Sequence, residues 1–402
     1  MQILLIFLLT CGVLLWLAGI LWNWRNASGM ITLSGRMDFP LSDQPRVSIL
    51  IPARDEADIL VTSLHRFLQQ DYDNYEVILV DDASTDGTAE LVQEFSARYP
   101  ERLRVHRVQQ LPPGWVGKTY ALHTAFQSAQ GEWILATDAD ILFHPKALRA
   151  GLWLARQRHA DLVSIFSYVE CVSFWEKLML PGFILMLSTF FPFRKINDTG
   201  STVALASGGY ILMRRKVWAD LGGYEAIRSL MIDDLNTARL VKHSGHPIFA
   251  VLTRDLLSTR MYRNFSELWE GLRKNAFAGN RYSIARLLAA VGGICLTSLL
   301  PLASLFYFAA PYMTTEHRGG GAWQLKAVLS LAGTEYLLSV LLHLPIVRYC
   351  RVSLWYGCLA PLGALVYAAI SVDSMIRTLL GGGVSWKLRH YGRPAAEVAR
   401  DD

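Results

Sequence analysis

Four stretches that are almost free of charged side chains constrain the fold of this chain most: residues 3–22, 287–312, 327–346 and 352–372. The third contains Glu335 and His343, and the other three contain no charged residue. About 20 consecutive apolar residues suffice to span a lipid bilayer as a helix. We therefore predict one transmembrane segment near the amino terminus and about three near the carboxyl terminus. Hydrophobic residues make up 52% of the 402 positions, which is more than an ordinary soluble domain contains.

Most of the charge lies between these stretches, in residues that we predict to form a globular domain. The sequence then divides into an anchor, a domain, a bundle of transmembrane helices and a basic tail, at residues 1–24, 45–283, 284–380 and 381–402. The first apolar stretch could instead be a signal peptide, but no Lys or Arg precedes it and no convincing cleavage site follows it. We therefore expect it to be an anchor.

The distribution of basic residues predicts the orientation in the cell membrane. Arg25 and Arg36 follow the first apolar stretch, which places the central domain in the cytoplasm by the positive-inside rule. Three full crossings after residue 286 would then put the tail outside, whereas its basic residues favour the inside: Lys387, Arg389 and Arg393. If one of the three segments re-enters the membrane without crossing it, the tail returns to the cytoplasmic side, as its basic residues favour. We therefore expect a cytoplasmic tail.

The charge and the cysteines argue against a nucleic-acid-binding protein and against a disulfide-stabilised fold. The net charge is +5, and no basic stripe with interleaved aromatic residues is present, so a nucleic-acid-binding protein is not expected. The five cysteines have no metal-ligand spacing and lie mostly in apolar segments. A disulfide framework is therefore not expected either.

The central domain alternates predicted strands and helices. Strands are indicated at 46–57, 75–88 and 103–108, and a fourth leads into the sequence LATDADILF. Helices are indicated at 58–70, around Val92 and at 118–130, because apolar residues recur there with helical spacing. This order predicts an α/β fold with a mostly parallel sheet and helices on both faces. Ligands bind such sheets at the carboxyl ends of the strands.

Pairs of acids stand at two of these strand ends. Asp138 and Asp140 are one residue apart, so both can reach one Mg²⁺ or Mn²⁺ ion that is shared with substrate phosphates. Such an ion helps a diphosphate to depart as a leaving group. The alternative is an ordinary solvated loop. At the other strand end Asp81 and Asp82 could bind a base or a ribose, while Asp86 most simply caps the next helix.

A third acid pair lies in the sequence SLMIDDLNTARLVKHSGH at 229–246. Asp233 is predicted to be the N-cap of a helix that ends at Gly245. One cap needs one carboxylate, which leaves Asp234 available as a general base.

The sequence PPGWVGKTYAL contains Gly-Lys-Thr but is not a P-loop, because Pro112 stands where that motif requires glycine. Lys118 at a helix start can still bind a diphosphate, since the helix dipole and the ammonium group act together.

Residues 172–193 are apolar enough to suggest another span. A crossing here would put Asp140 and Asp234 on opposite sides of the membrane and prevent them from sharing a site. We therefore expect a segment that lies in the membrane interface. The alternative is a buried core helix between the two halves of the domain.

Taken together, six motifs resemble the family 2 glycosyltransferases with the GT-A fold: IPARDE, VDDASTDGT, GWVGKTYAL, GEWILATDAD, SGGYILMRR and GGYEAIRSLMIDDL. The resemblance covers residues 45 to about 280. Within that family the chain is most similar to the hopene-associated glycosyltransferases, with the ceramide and carotenoid glycosyltransferases as near relatives. A membrane-bound transferase is therefore expected.

The resemblance implies roles for particular residues. Asp82 would read the base of the nucleotide, Asp234 would be the catalytic base, and Asp140 would be the closer ligand of the Mg²⁺ or Mn²⁺ ion. The remaining nucleotide-binding residues would be Pro52, Ala53, Arg54, Glu56, Lys118 and Asp138, the last of which also matches the metal motif. The expected reaction moves one sugar, with inversion, from a UDP-sugar to a hopanoid-like or related membrane lipid.

One motif departs from the wider family pattern. Many members that use lipid acceptors or act processively carry Gln-x-x-Arg-Trp after the base, whereas this chain has Glu270, Arg273 and Lys274 at the three matching positions. We expect Asp233, Trp269, Arg273 and Lys274 to contact the acceptor or the diphosphate. A solvated amphipathic helix is the alternative for this segment.

Three functions stay open at this point. The first is an enzyme that transfers a single sugar to a lipid, and the second is a processive polysaccharide synthase, which the altered Arg-Trp motif disfavours. The third is an inactive scaffold or a transporter on the same fold, although an inactive copy would be expected to have lost an acid. Glu335 would contact the acceptor head group or form a hydrogen bond to a neighbouring helix.

Overall fold

The computed structural model describes residues 2–27, 29–314, 322–380, 384–386 and 389–391. Its contacts divide the chain into two units, which we call the sheet unit and the helical unit. The sheet unit consists of Asn26–Glu170 and Phe191–Arg260. The helical unit consists of the described residues within Met1–Arg25, Cys171–Phe190 and Met261–Arg393. The domain limits predicted from the sequence stay a prediction.

An eight-stranded sheet forms the centre of the sheet unit. The strands are β1 (Thr32–Leu33), β2 (Val47–Ala53), β3 (Tyr75–Asp82), β4 (Leu103–Val108), β5 (Trp133–Ala136), β6 (Leu142–Phe143), β7 (Leu162–Phe166), β8 (Tyr168–Val169), β9 (Ile211–Arg214), β10 (Ile248–Thr253) and β11 (Leu257–Thr259). The sheet has the order β1-β10-β7-β9-β5-β2-β3-β4, and among the described strands only β9 runs antiparallel to its neighbours in it. A smaller sheet has the order β6-β11-β8.

The helices are α1 (Gln2–Ala27), α2 (Ala57–Leu68), α3 (Thr88–Arg98), α4 (Gly117–Ser128), α5 (Ala147–Gln157), α6 (Phe174–Phe190), α7 (Phe193–Ile196), α8 (Arg215–Asp220), α9 (Asp233–His243), α10 (Phe265–Gly279), α11 (Ile284–Ile294), α12 (Leu300–Thr314), α13 (Ala322–Tyr349), α14 (Trp355–Cys358) and α15 (Ala360–Leu379). A 3-10 turn at Gly223–Ile227 precedes α9, and a π-helical turn at Cys295–Leu299 joins α11 to α12. The short strands β12 (Val384–Trp386) and β13 (Arg389–Tyr391) pair antiparallel. The other residues of the predicted basic tail lie outside the described residues.

The core of the sheet unit follows from the apolar patterns of its elements. All eight residues of β3 are buried, as expected for a central strand of a parallel sheet that is covered on both faces. Helix α2 buries Leu60, Leu64 and Phe67, which lie on one face because three or four residues separate them. The ring of Phe67 packs edge-on against Phe143, with centroids 4.8 Å apart.

The parallel register brings several strand ends to one edge. Ala53 at the end of β2 pairs with Asp81 of β3, and Leu50 pairs with Ala136 at the end of β5. The polar segments that follow β2, β3 and β5 therefore leave the sheet on the same side. These segments contain the acids that the sequence predicted for a ligand site.

The helical unit contains four helices that are long and apolar enough to cross a membrane: Gln2–Ala27, Ile284–Ala309, Trp323–Tyr349 and Ala360–Leu379. They match the predicted segments. Helix α6 buries Leu178 and Met179 against Leu268 and Leu272 of α10 and Ile370 of α15. The contacts of α6 therefore place it in the helical unit rather than between two halves of the sheet unit. Its position in a membrane interface stays a prediction.

Glu335 is fully buried on α13. It packs against Gly12 of α1, where the missing side chain leaves room for the carboxyl group. Within the described residues, neither carboxyl oxygen has a hydrogen-bond partner. The contact with the neighbouring helix is thus made by packing, without the expected hydrogen bond. Contact with an acceptor head group stays a prediction.

Candidate active site

A lysine and three carboxylates form a charged cluster in the sheet unit. Nζ of Lys118 lies 2.7 Å from Oδ1 of Asp138 and 3.1 Å from Oδ2 of Asp233. Lys118 stands in the first turn of α4, Asp138 follows β5, and Asp233 begins α9. The fold thus brings together three segments that are far apart in the sequence. We call Lys118, Asp138, Asp233 and Asp234 the acid cluster.

The predicted N-cap of α9 is wrong. Asp233 is the first residue of the helix rather than its N-cap, and Ile232 takes the cap position without a side-chain hydrogen bond. The carboxylate of Asp233 is instead directed to Lys118, because a full positive charge attracts it more strongly than a backbone N–H. The predicted end of the helix is confirmed, since Gly245 has a φ of +86° and donates its N–H to the carbonyl of Lys242.

Asp234 is held by two backbone groups. Its Oδ1 accepts the N–H of Leu235 at 2.7 Å, and its Oδ2 accepts the N–H of Gly208 at 3.1 Å. Burial and the negative charge of Asp233 raise the pKa of Asp234 to about 6, although Lys118 acts in the opposite direction. A carboxyl group with this pKa is mostly ionised at neutral pH and is more basic than an ordinary Asp. These are the properties of a general base.

Lys118 stays charged within the acid cluster. Burial alone would lower the pKa of its ammonium group, but Asp138, Asp233 and Asp234 together raise the pKa well above the ordinary value. The side chain of Asp138 is 36% exposed, so a ligand can reach the Lys118–Asp138 pair. A fixed positive charge beside an accessible carboxylate suits a diphosphate that arrives with a divalent cation.

The predicted nucleotide-binding residues other than Lys118 and Asp138 lie at the ends of β2 and β3. Arg54 donates from Nη1 to the backbone carbonyl of Asp82 at 2.5 Å, and the same nitrogen is 4.0 Å from Oδ2 of Asp82. The N–H of Glu56 donates to Thr88. Pro52 and Ala53 belong to β2 itself, and the side chain of Ala53 is buried in the core. Ala53 can therefore offer a ligand only its backbone.

Asp86 accepts hydrogen bonds from both of the helices that begin beside these strand ends. Its Oδ1 accepts the N–H of Thr88 at the start of α3, and its Oδ2 accepts the N–H of Ala57 at the start of α2. Asp86 is not the N-cap of α3 as predicted, because that position is Gly87. The Asp86 carboxylate instead accepts N–H groups at the start of both helices and joins the loops that follow β2 and β3.

The carboxylates after β5 fit a cation that arrives with its substrate. Oδ2 of Asp140 accepts a hydrogen bond from Oγ1 of Thr259 on β11 at 3.1 Å, which orients this carboxylate. No group of three or more His, Cys, Asp or Glu residues suited to a metal ion occurs in the part of the chain that the structure describes. Mg²⁺ commonly takes only one or two carboxylates and completes its shell with substrate phosphates and water. Asp138 and Asp140 are two such carboxylates, and their role as ligands stays a prediction.

The structure places Trp269, Arg273 and Lys274 in the helical unit, on α10. Nε1 of Trp269 donates to Oδ2 of Asp373 at 2.9 Å, and Nη1 of Arg273 lies 3.4 Å from the same oxygen. Asp373 belongs to α15 and was not predicted, because an acid at the end of an apolar stretch carries no local signal of its partner. The roles of these α10 residues toward a diphosphate or an acceptor stay predictions.

The sequence analysis also missed the contribution of Gly208. This residue belongs to the Ser207–Tyr210 turn, in which the N–H of Tyr210 donates to the carbonyl of Ser207 at 2.9 Å. The turn leads into β9 and donates a backbone N–H to Asp234. The only local signal was the Gly-Gly pair in the motif SGGYILMRR, which indicates a turn or a close approach of the backbone.

Comparison with known proteins finds a family match for much of the sheet unit. Residues 48–222 match the sequence model described as Glycosyl transferase family 2. These residues form a glycosyltransferase family 2 domain. The prediction of a glycosyltransferase is thus confirmed for this domain, which contains Lys118, Asp138 and Gly208.

Two curated relatives are glycosyltransferases by name. The putative glycosyltransferase EpsE of Bacillus subtilis is 27% identical over 191 residues, which cover 47% of this chain and 63% of the relative. The 4,4'-diaponeurosporenoate glycosyltransferase of Staphylococcus haemolyticus is 27% identical over 238 residues, which cover 58% of this chain and 61% of the relative. The chain therefore spans less than two thirds of the length of these relatives.

A solved structure shows the same fold. It is the mannosyltransferase PcManGT from Pyrobaculum calidifontis in complex with GDP-Man and Mn²⁺, with a TM-score of 0.52 and 18% sequence identity. The alignment covers 94% of this chain and 99% of that chain. At this identity the likeness establishes the fold alone, and it confirms the predicted GT-A architecture.

Proposed function

We propose that the protein transfers a single sugar from a nucleotide-sugar donor to a membrane lipid, with inversion at the anomeric carbon. The observation that carries this proposal is the acid cluster, in which Asp234 has a raised pKa and lies beside the Lys118–Asp138 pair. Lys118 and Asp138 belong to the residues that match the glycosyltransferase family 2 model. Such a cluster provides a base that can deprotonate the acceptor and an ammonium group, Lys118, that can bind the leaving diphosphate.

The acceptor hydroxyl would attack the anomeric carbon from the face opposite the diphosphate. Asp234 takes the hydroxyl proton, a new bond forms between the acceptor oxygen and the anomeric carbon, and the bond from that carbon to the diphosphate oxygen breaks with its electron pair. Lys118 balances the negative charge of the departing diphosphate. Asp138 and Asp140 would hold the Mg²⁺ or Mn²⁺ ion, which supplies further charge neutralisation when bound.

The nature of both substrates is part of the proposal. We infer a UDP-sugar as the donor and a hopanoid-like or related lipid as the acceptor, at the cytoplasmic face of the cell membrane. The four helices long enough to span a membrane support an acceptor that resides in the bilayer. The similarity to a relative named for a carotenoid substrate supports an apolar acceptor, and Arg25 and Arg36 support the cytoplasmic side.

The test is transfer by the purified full-length protein in detergent. A panel of radiolabelled nucleotide sugars would be offered with extracted host lipid and Mg²⁺ or Mn²⁺, and then with a chelator. We expect one nucleotide to be released and its sugar to appear in a single lipid product, in a metal-dependent manner. Growth of the product to a polymer would favour the processive synthase instead.

Asp234→Asn supplies the decisive control. The variant removes the base but keeps the size of the side chain, so it should still bind the donor while transfer falls by about 10²–10⁴-fold, the usual contribution of a general base. Asp220→Asn is a matched control, because Asp220 is exposed and pairs only with Lys216 among the described residues. Normal transfer by Asp234→Asn would refute the assigned base. No transfer with any donor would favour the inactive scaffold.

A further inference from the structure

The backbone of the Ser207–Tyr210 turn is fixed by side chains of two strand segments. Oγ1 of Thr137, which follows β5, donates to the carbonyl of Gly209 at 2.9 Å. Oγ of Ser164 on β7 donates to the carbonyl of Tyr210 at 3.0 Å and accepts the N–H of Ser207 at 2.9 Å. Thr137 and Ser164 are both buried. The turn is therefore held in place without any contribution from a ligand.

This fixed turn orients one carboxylate. The N–H of Gly208 points at Oδ2 of Asp234, while the N–H of Leu235 points at Oδ1. Two donors on different segments restrain the plane of the carboxylate more than either donor alone, because rotation would break one of the two hydrogen bonds. An oriented base loses less entropy on reaching the reactive geometry.

The absent side chain of Gly208 matters as much as its N–H. A Cβ atom at this position would lie 2.9 Å from Oδ2 of Asp138, 3.1 Å from Nζ of Lys118 and 3.5 Å from Oδ2 of Asp234. The α-carbon of Gly208 thus faces three charged groups of the acid cluster at once. Any side chain here would occupy the space over which these groups converge.

Gly209 provides a contrast within the same turn. A Cβ atom at Gly209 would lie 2.8 Å from Oγ of Ser167 and 3.0 Å from Cδ1 of Ile141. The two glycines therefore tolerate a methyl group about equally poorly, but only the methyl at Gly208 would meet the acid cluster.

We propose that Gly208 is a positioning residue for the transfer: its N–H orients Asp234, and its lack of a side chain keeps the space over Lys118 and Asp138 open for the donor diphosphate. This inference rests on the proposed function, and it adds a backbone element that none of the predicted site residues includes. It also explains why a Gly-Gly turn is anchored by two buried hydroxyl groups.

The test compares Gly208→Ala with Gly209→Ala in the purified full-length protein. Binding of UDP in the presence of Mn²⁺ would be measured by calorimetry, and kcat and the donor KM would be measured by sugar transfer. We expect Gly208→Ala to weaken UDP binding and to lower kcat/KM by roughly tenfold to a hundredfold, the loss that accompanies a small misplacement of reacting groups. Gly209→Ala should lose clearly less in both measurements. Equal losses in the two variants, or no loss in Gly208→Ala, would overturn the inference.

Ser164→Ala separates the two roles of Gly208. This change removes the two hydrogen bonds of the Ser164 hydroxyl group to the turn but adds no atom to the acid cluster. Because Asp234 would then be less well oriented, kcat should fall, while UDP binding and the donor KM should stay near their wild-type values. An unchanged kcat would overturn the orienting role of the turn. If the wild-type protein binds neither UDP nor GDP, the proposed function itself is refuted. Failure of the proposed function can therefore be distinguished from failure of the inference about Gly208.

Discussion

The raised pKa of Asp234 predicts how the rate depends on pH. With a pKa of about 6, the carboxyl group is roughly nine tenths ionised at pH 7 and roughly one tenth ionised at pH 5. Because only the ionised form can accept the acceptor proton, kcat/KM should fall about tenfold for each pH unit well below 6. An ordinary Asp would keep its activity down to a pH near 4.

The fall of kcat/KM at low pH, which we call the acid limb, should depend on the charge of Asp233. The negative charge of Asp233 raises the pKa of Asp234, so Asp233→Asn should lower that pKa and shift the acid limb to lower pH. The assay is the pH profile of kcat/KM for the donor, which reports groups of the free enzyme. Asp220→Asn should leave the limb in place. A flat profile between pH 5 and 8, or a limb that does not move in Asp233→Asn, would refute the assignment of Asp234 as the base.

Two further changes test other parts of the molecule. Asp140→Asn keeps an oxygen that can accept the hydrogen bond from Thr259, so we expect normal folding with loss of metal-dependent transfer; normal turnover across a Mn²⁺ titration would contradict the role of Asp140. Gly12→Ala would push a methyl group into the carboxyl group of Glu335, and overpacking of this kind costs about 1–3 kcal/mol. The melting temperature of Gly12→Ala in detergent should therefore be lower than that of Gly19→Ala, whose methyl group would contact only Leu342 at 3.9 Å. Equal melting temperatures of the two variants would contradict the packing of Glu335 against Gly12.

The sequence predicted the elements whose pattern is local. Apolar runs of strand length marked β2, β3 and β5, and the alternation with helices fixed their parallel order. Since parallel strands end at a common edge, the convergence of Lys118 and Asp138 could be expected from order alone. These predictions depended only on neighbouring residues and on general rules of sheet topology.

Long-range partners explain what the sequence could not predict. Asp233 looked like a cap because its neighbours along the chain suggested one, but Lys118 from another helix takes its carboxylate. Gly208 lies 26 positions before the carboxylate that it orients, and Asp373 lies 104 positions after Trp269. In each case the deciding contact is made by groups that only the tertiary fold brings together.

The acid cluster also bears on the order in which substrates arrive. One ammonium group stands against three carboxylates, so at neutral pH the acid cluster has an excess of negative charge. A bare nucleoside diphosphate would be repelled there, because two like charges a few ångströms apart at a partly buried site repel strongly. A donor already complexed with a divalent cation brings the compensating charge with it. Under the proposed function, the charge of the acid cluster would therefore favour a donor that binds as its complex with a divalent cation, which Asp138 and Asp140 would hold.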